Sequence, residues 1–285
     1  MTAKHKKYIW LSAAACLLIV LIVWIVWGNF AVELNTYSVT SNRLPQAFDG
    51  FRIAQVSDLH NVQMGQGNED LLDMLRDAKP DIIAITGDLI DSRNTDIAIA
   101  LQFIREAVKI APCYYVTGNH EQRIEAYAEL KTSMEAAGVI VLDDEKLELR
   151  RDNETITIIG VNDPVFTPNY VPEDGEVLMQ TKLTGLCSEY DGFTILLSHR
   201  PELFEVYVGA DIDLVLSGHA HGGQIRLPLI GGIYAPKQGF FPKYDAGLFS
   251  ENHTHMIVSR GIGNSAFPFR INNRPEVVLI ELHSA

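Results

Sequence analysis

Three apolar runs in the first half of the chain end in small polar clusters at almost constant spacing. FRIAQVSD (51–58) closes on Asp58, PDIIAITGD (80–88) on Asp88 and CYYVTGN (113–119) on Asn119, separations of 30 and 31 residues. That interval suits one strand–helix–strand unit. Between the runs, NEDLLDMLRDAK (68–79) and TDIAIALQFIREAVKI (95–110) space their apolar residues as helices do. EQRIEAYAELKTSMEAAG (121–138) does so again before Gly138, a helix-stop residue. Such units build parallel strands whose carboxyl ends lie side by side. Asp58, His60, Asp88, Asn119 and His120 are therefore expected to meet in one crevice.

The second half changes character. TITIIGV (155–161), FTILLS (193–198), DLVLS (213–217), HMIVSR (255–260) and EVVLIEL (276–282) read as strands, with helical signal only around 174–184 and 201–209. An alternating half followed by a strand-rich half predicts two packed sheets with helices outside. The expected class is α/β (α+β), a four-layer αββα sandwich of two mixed sheets. Nothing divides residues 51–285, which read as one domain behind a connector at 28–50. Within that connector VELNTYSVTSNRL alternates like an exposed or edge strand.

Residues 1–27 are of another kind. Lys4, Lys6 and Lys7 precede YIWLSAAACLLIVLIVWIVW, twenty residues from Tyr8 to Trp27 without a formal charge. About 20 apolar residues cross a bilayer core of roughly 30 Å. Tyr8, Trp10, Trp24 and Trp27 fall near the two ends, where aromatic belts form. The lysines predict a single-pass membrane protein with its N-terminus in the cytoplasm and its main domain outside. A cleaved signal peptide would have a shorter apolar core and a small-residue site at its end. Ala13–Ala14–Ala15–Cys16 faintly resembles a lipoprotein box, but the long apolar run continues past it. A buried core helix fits poorly behind a basic tail.

The net charge of −13 and the absence of a basic stripe argue against a nucleic-acid partner. Cys16, Cys113 and Cys187 show no CxxC spacing and are expected as free thiols, a Cys113–Cys187 disulfide being the alternative in an oxidising compartment. No sequence feature points to a protein partner.

A lone Asp-x-His or Gly-Asn at a strand end is ordinarily just a turn. Here, however, five of nine histidines stand immediately beyond an apolar run: His60, His120, His199, His219 and His221. The last two occur in LSGHAHGGQ (216–224), between Gly218 and Gly222. Asp, Asn and His without thiolate form an oxygen–nitrogen donor set suited to Mn, Fe or Zn. His253 and His255 lack flanking glycines and read as surface or strand residues.

In order, DLH (58–60), GDLID (87–91), GNHE (118–121), SHRP (198–201) and GHAH (218–221) resemble the calcineurin-like metallophosphoesterases over about residues 51–282. LSHRPE, SGHAHGGQ and RPEVVLIEL are similar to a bacterial, membrane-associated phosphodiesterase branch of that family. The resemblance implies two divalent ions. Asp58, His60 and His221 would hold the first, Asn119, His199 and His219 the second, and Asp88 would bridge them. A hydroxide between the ions would attack phosphorus, and His120 would protonate the leaving group. Asp91 would pair with His120, or else cap the following helix. Arg200 and Arg270 are candidate phosphate contacts, or plain surface charges.

The implied substrate is a phosphoester, preferentially a phosphodiester of a lipid or cell-envelope molecule, because the site follows the span so closely. RLPLIGGIYAPKQGFFPKYDAGLF (226–249), with five aromatic residues, would be a hairpin lid or an apolar lip toward the membrane. The rival readings are a phosphomonoesterase and a tethered metal- or ligand-binding module without turnover.

Overall fold

A computed structural model describes residues 3–187, 192–264 and 267–285. Helix α1 (Ala3–Phe30) runs, with only Ala31 and Val32 between, into strand β1 (Glu33–Ser41). The alternating half comprises β2 (Phe51–Val56), α2 (Glu69–Ala78), β3 (Ile82–Thr86), α3 (Ile97–Ala107), β4 (Cys113–Val116), α4 (Tyr127–Ala137) and β5 (Ile140–Val141). Next come β6 (Glu145–Arg151), β7 (Glu154–Gly160), α5 (Gly175–Leu186), β8 (Thr194–Leu197), α6 (Phe204–Gly209) and β9 (Leu214–Ser217). Four two-residue strands follow: β10 (Arg226–Leu227), β11 (Gly231–Gly232), β12 (Tyr234–Ala235) and β13 (Gly239–Phe240). The chain closes with β14 (Gly247–Glu251), β15 (Thr254–Val258) and β16 (Glu276–Ser284).

Two six-stranded mixed sheets result, ordered β1-β16-β2-β3-β4-β5 and β14-β15-β9-β8-β7-β6. Alternation along each strand explains why both faces are apolar. Ile83, Ile85, Cys113 and Tyr115 face α2, α3 and α4, meeting Leu71, Leu75, Phe103 and Met134. Ile82, Ala84 and Tyr114 face the other sheet, meeting Ile156, Ile195, Leu214 and Ile257. Leu196, Val215 and Met256 lie beneath α5 and α6, against Met179, Leu183 and Phe204. Three apolar seams between four layers give the expected αββα sandwich.

Local signals set the helix ends. Asp96 caps α3, accepting the Ala98 N–H at 3.0 Å, and Gly138 closes α4 in the left-handed conformation. The sequence predicts one helix over 121–138; instead Glu121–Arg123 form a single 3-10 turn and α4 starts at Tyr127. Strand β6 has no counterpart in the sequence reading, because EKLELRR is mostly exposed on an outer edge and carries little apolar signal.

Register places α1. Glu33 opens β1 opposite Glu276, in parallel with β16. Strand β16 runs antiparallel to β2, with Val278 opposite Gln55. The amino end of β1 therefore lies at the carboxyl ends of β2, β3 and β4, which lead into Asp58, Asp88 and Asn119. Two like charges facing each other would repel, and Arg260 resolves this by pairing with both Glu33 and Glu276. Helix α1 itself packs into none of the seams; by length and composition it can cross a membrane.

All three cysteines are free, Cys113 buried, Cys187 half-buried and Cys16 exposed. Burial pushes the Cys113 thiol up to about 12. Since the thiolate is the nucleophile, native protein in detergent should take up maleimide at the half-buried Cys187 but not at Cys113. Cys113 should react once the protein is unfolded; mass spectrometry of tryptic peptides reads this directly. Labelling of native Cys113 would contradict the packing of β4.

Candidate metal centre

The turns leaving the strands bend sharply enough to aim their side chains inward. Asp58, His60, Asp88, His219 and His221, five of the seven expected ligands, sit at φ between 47° and 66°. This left-handed region is uncommon outside glycine, and strain of this kind concentrates at functional sites. Close approach also demands missing side chains. A Cβ at Gly118 would strike the Asp88 carboxylate, and one at Gly218 would strike Ser57 Oγ and the Asp58 carboxylate.

Two buried donor groups form. One is Asp58, His60 and His221; the other is Asp88, His199 and His219. In the first, His221 Nε2 lies 3.2 Å from His60 Nε2 and 3.4 Å from Asp58 Oδ1. In the second, His219 Nδ1 lies 3.1 Å from His199 Nε2. Asp88 Oδ2 stands between the groups, 3.6 Å from His60 Nε2 and 3.3 Å from His199 Nε2. Thr86 O accepts from His199 Nδ1 at 2.7 Å, so Nε2 is the ring atom turned to the centre.

Electrostatics suit cation ligands. Burial pushes the Asp58 carboxyl up to about 6 and His60 down to about 4. Burial also holds His219 and His221 well below the usual imidazole value, keeping their lone pairs free. His199 differs: burial opposes its charge, but the facing Asp88 carboxylate raises it to about 10. Asp88 stays well below the carboxylate range, burial working against it and His199 prevailing. A proton thus sits where a cation would serve the same carboxylate. Asn119 Oδ1 is buried without a hydrogen-bond partner among the described residues. An atom meant for a cation is left in that state. The donor set fits two divalent ions.

Above the donors lies a cavity of about 380 Å³, lined among others by Asp88, Asn119, His120, His219 and His221. The His120 ring meets His60 edge-to-face at 4.5 Å. Its backbone N–H donates to Asp88 Oδ1 at 2.8 Å, and its Nδ1 accepts the Ser92 N–H at 3.1 Å. Asp91 approaches Nδ1 only to 3.5 Å, longer than a hydrogen bond, because the Arg93 guanidinium occupies both its oxygens at 3.0 and 2.7 Å. The helix cap is Asp96 rather than Asp91.

The two arginines are interior residues, not surface charges. Arg200 forks onto Asp163 at 2.5 and 2.9 Å and reaches within 3.1 Å of His219 Nε2. Arg270 lies behind His221, its Nη2 3.5 Å from Nδ1, with its other donors on Arg260 O, Gly263 O and Asn264 Oδ1. His253 and His255 stand apart, bonded to Asp211 and Ser250. The 226–249 segment folds into small hairpins and contributes Tyr234, Pro236 and Lys237 to the cavity.

Two further residues escaped the sequence reading. Asp163 follows an apolar strand run just as Asp58 and Asp88 do, so the same rule would have found it. Glu121 carries no such signal. Its buried carboxylate accepts the N–H groups of Asp88, Leu89 and Gly118 at 3.1, 2.8 and 2.8 Å, clasping together the turns that carry Asp88 and Asn119. An unsatisfied buried donor costs about 1–3 kcal/mol. Glu121→Ala should therefore lower the thermal midpoint by several degrees and reduce metal content, with Glu121→Gln intermediate. An unchanged melt would mean the clasp is dispensable.

Residues 51–223 match the family described as Calcineurin-like phosphoesterase. The metallophosphoesterase YkuE of Bacillus subtilis (strain 168) is 31% identical over 262 residues, covering 89% of this chain and 86% of that protein. Phosphodiesterase YaeI of Escherichia coli (strain K12) is 27% identical over 237 residues, 81% of this chain and 82% of its own. Among solved structures, TT1561 of Thermus thermophilus shares the fold, with a TM-score of 0.53 at 15% identity over 74% of this chain and 90% of that one. The matched span contains every strand-end turn that supplies the paired donor groups, and on that ground the chain belongs to the calcineurin-like phosphoesterases, as a metal-dependent phosphoesterase with a His/Asp dimetal site.

Proposed function

We propose that the protein hydrolyses a phosphodiester of a membrane lipid or another cell-envelope molecule, held to the membrane by α1 with its N-terminus cytoplasmic and its catalytic domain outside. The observation that carries the chemistry is Asp88 Oδ2, placed between one imidazole of each donor group. Asp58, His60 and His221 would hold one cation, Asn119, His199 and His219 the other, and Asp88 both; the donors favour Mn, Fe or Zn. Such a pair, when bound, neutralises phosphoryl charge and lowers the pKa of a water.

The remaining work falls to the chain. As the imidazolium, His120 would keep one proton on Nδ1, facing Ser92 Oγ at 3.1 Å and the Asp91 carboxylate at 3.5 Å, and would deliver the other from Nε2 to the leaving oxygen. Asp91, at 3.5 Å, positions His120 through its charge. Arg200 acts through His219, anchored by Asp163. Arg123 and Lys237 bring exposed cationic ends to a cavity walled by Val165, Tyr170, Pro172, Tyr234 and Pro236. Cations beside apolar wall suit an amphiphilic phosphoester, and the likeness to a phosphodiesterase supports a diester.

Full-length protein loaded with Mn²⁺ should cleave bis-p-nitrophenyl phosphate faster than p-nitrophenyl phosphate. Preference for the monoester would sink the diester reading.

A further inference from the structure

The 225–241 segment exposes large apolar side chains that the hydrolytic site does not use. Leu229 is completely exposed, Ile230, Phe240 and Phe241 are each more than half exposed, and Leu227 is partly so. Leu229 and Phe241 are also held at φ 68° and 56°, conformations that bulky residues avoid. A soluble surface has no reason to keep such a cluster.

Its position says what covers it. In the last turn of α1, the Asn29 side chain accepts the Arg270 N–H at 2.7 Å and donates to Arg270 O at 2.9 Å. Backbone bonds continue outward. Arg226 N–H donates to Ile271 O at 3.0 Å, Ile233 N–H to Ile225 O at 2.9 Å and Phe241 N–H to Ile233 O at 2.8 Å. The apolar cluster is thus joined, strand by strand, to the end of the span. Two residues before Asn29, the Trp27 ring lies under the Arg274 guanidinium at 4.9 Å, an arrangement of the headgroup level. Two helical residues are about 3 Å of height. The base of the hairpin that carries 228–230, at Arg226, is fastened one residue from Arg270 and so starts beside Asn29.

We infer that this apolar lip inserts into the headgroup–acyl boundary of the bilayer that α1 spans, a second membrane contact. It rests on the reading of α1 as a span. The lip fixes the domain so that the cavity, which shares Tyr234, Pro236 and Lys237 with the same segment, opens at the lipid surface. Amphiphiles partly drawn from the membrane plane then reach the donors without leaving it.

A nitroxide label tests this on full-length protein floated with phosphatidylcholine–phosphatidylglycerol vesicles. Cys16→Ser and Cys187→Ser leave only buried Cys113, and Leu229→Cys receives the label. Asn153→Cys, an exposed position in the β6–β7 turn at the far end of the second sheet, is the reference. Oxygen should relax the label at 229 more than an aqueous nickel complex does, with the order reversed at 153. Phe241→Cys should repeat the result if Leu229→Cys fails to fold. Equal nickel access at 229 and 153 overturns the inference. So does failure to float. Dipolar broadening at 229 that disappears on dilution with unlabelled protein also overturns it, assigning the lip to a second copy. No turnover is needed, so an active enzyme with a wet lip loses only this inference, and an inactive one with an inserted lip loses only the hydrolytic reading.

Discussion

Asp88→Asn should reduce kcat/KM on the order of 10³-fold or more, equivalent to about 4 kcal/mol of transition-state stabilisation. Asparagine keeps the size of the side chain and an oxygen to accept the His120 N–H, now at 2.8 Å, so the turn should survive. What disappears is the negative charge between the two donor groups. His199, raised to about 10 by that carboxylate, then loses the partner that opposes its burial. Neither group keeps an anionic oxygen in common with the other, and metal content should fall with activity. Elemental analysis after gel filtration, alongside kinetics and a thermal melt, separates loss of metal from loss of fold. Retention of both metals with more than a tenth of the activity would show that Asp88 is not shared.

The second large effect depends on the leaving group. His120→Ala should lower kcat about 10²–10⁴-fold for a diester with an alkyl leaving group, the range of general acid catalysis. A p-nitrophenyl group departs without a proton and should lose much less, with metal content unchanged. Equal losses for both esters would mean that His120 acts by contact alone. The pH profile carries a sign. Burial lowers the His120 pKa, while the charges of Asp88 and Asp91 work the other way. The acid form disappears as pH rises through that value, so rates with the alkyl ester should fall on the alkaline side. Asp91→Asn removes charge that favours the imidazolium, and the alkaline limb should move to lower pH. A limb that stays in place would leave Asp91 with Arg93 alone.

Much of the site is legible in one dimension because a strand's period and a helix's length are local properties. A buried parallel strand reads as an apolar run, and its end is marked where polar residues begin. Asp58, Asp88 and Asn119 could be aligned on that basis, and His199, His219 and His221 added by the same rule. The edge strand β6 was invisible for the converse reason: exposed on nearly every residue, it has no burial to write into its composition.

One dimension therefore sufficed for the sandwich, the donor types and their convergence at one end of two sheets. Which partner each charged group takes was settled by the packing of the layers alone. Arg93 holds Asp91, Asp163 holds Arg200, and Glu121 clasps the Asp88 and Gly118 turns. Packing also settled that α1 joins at the metal end of the first sheet, with Asn29 fastened to Arg270. Periodicity reports the face on which a residue lies. A hydrogen bond depends on distances of a few ångströms between segments far apart in the chain, and those distances exist only after the layers have packed.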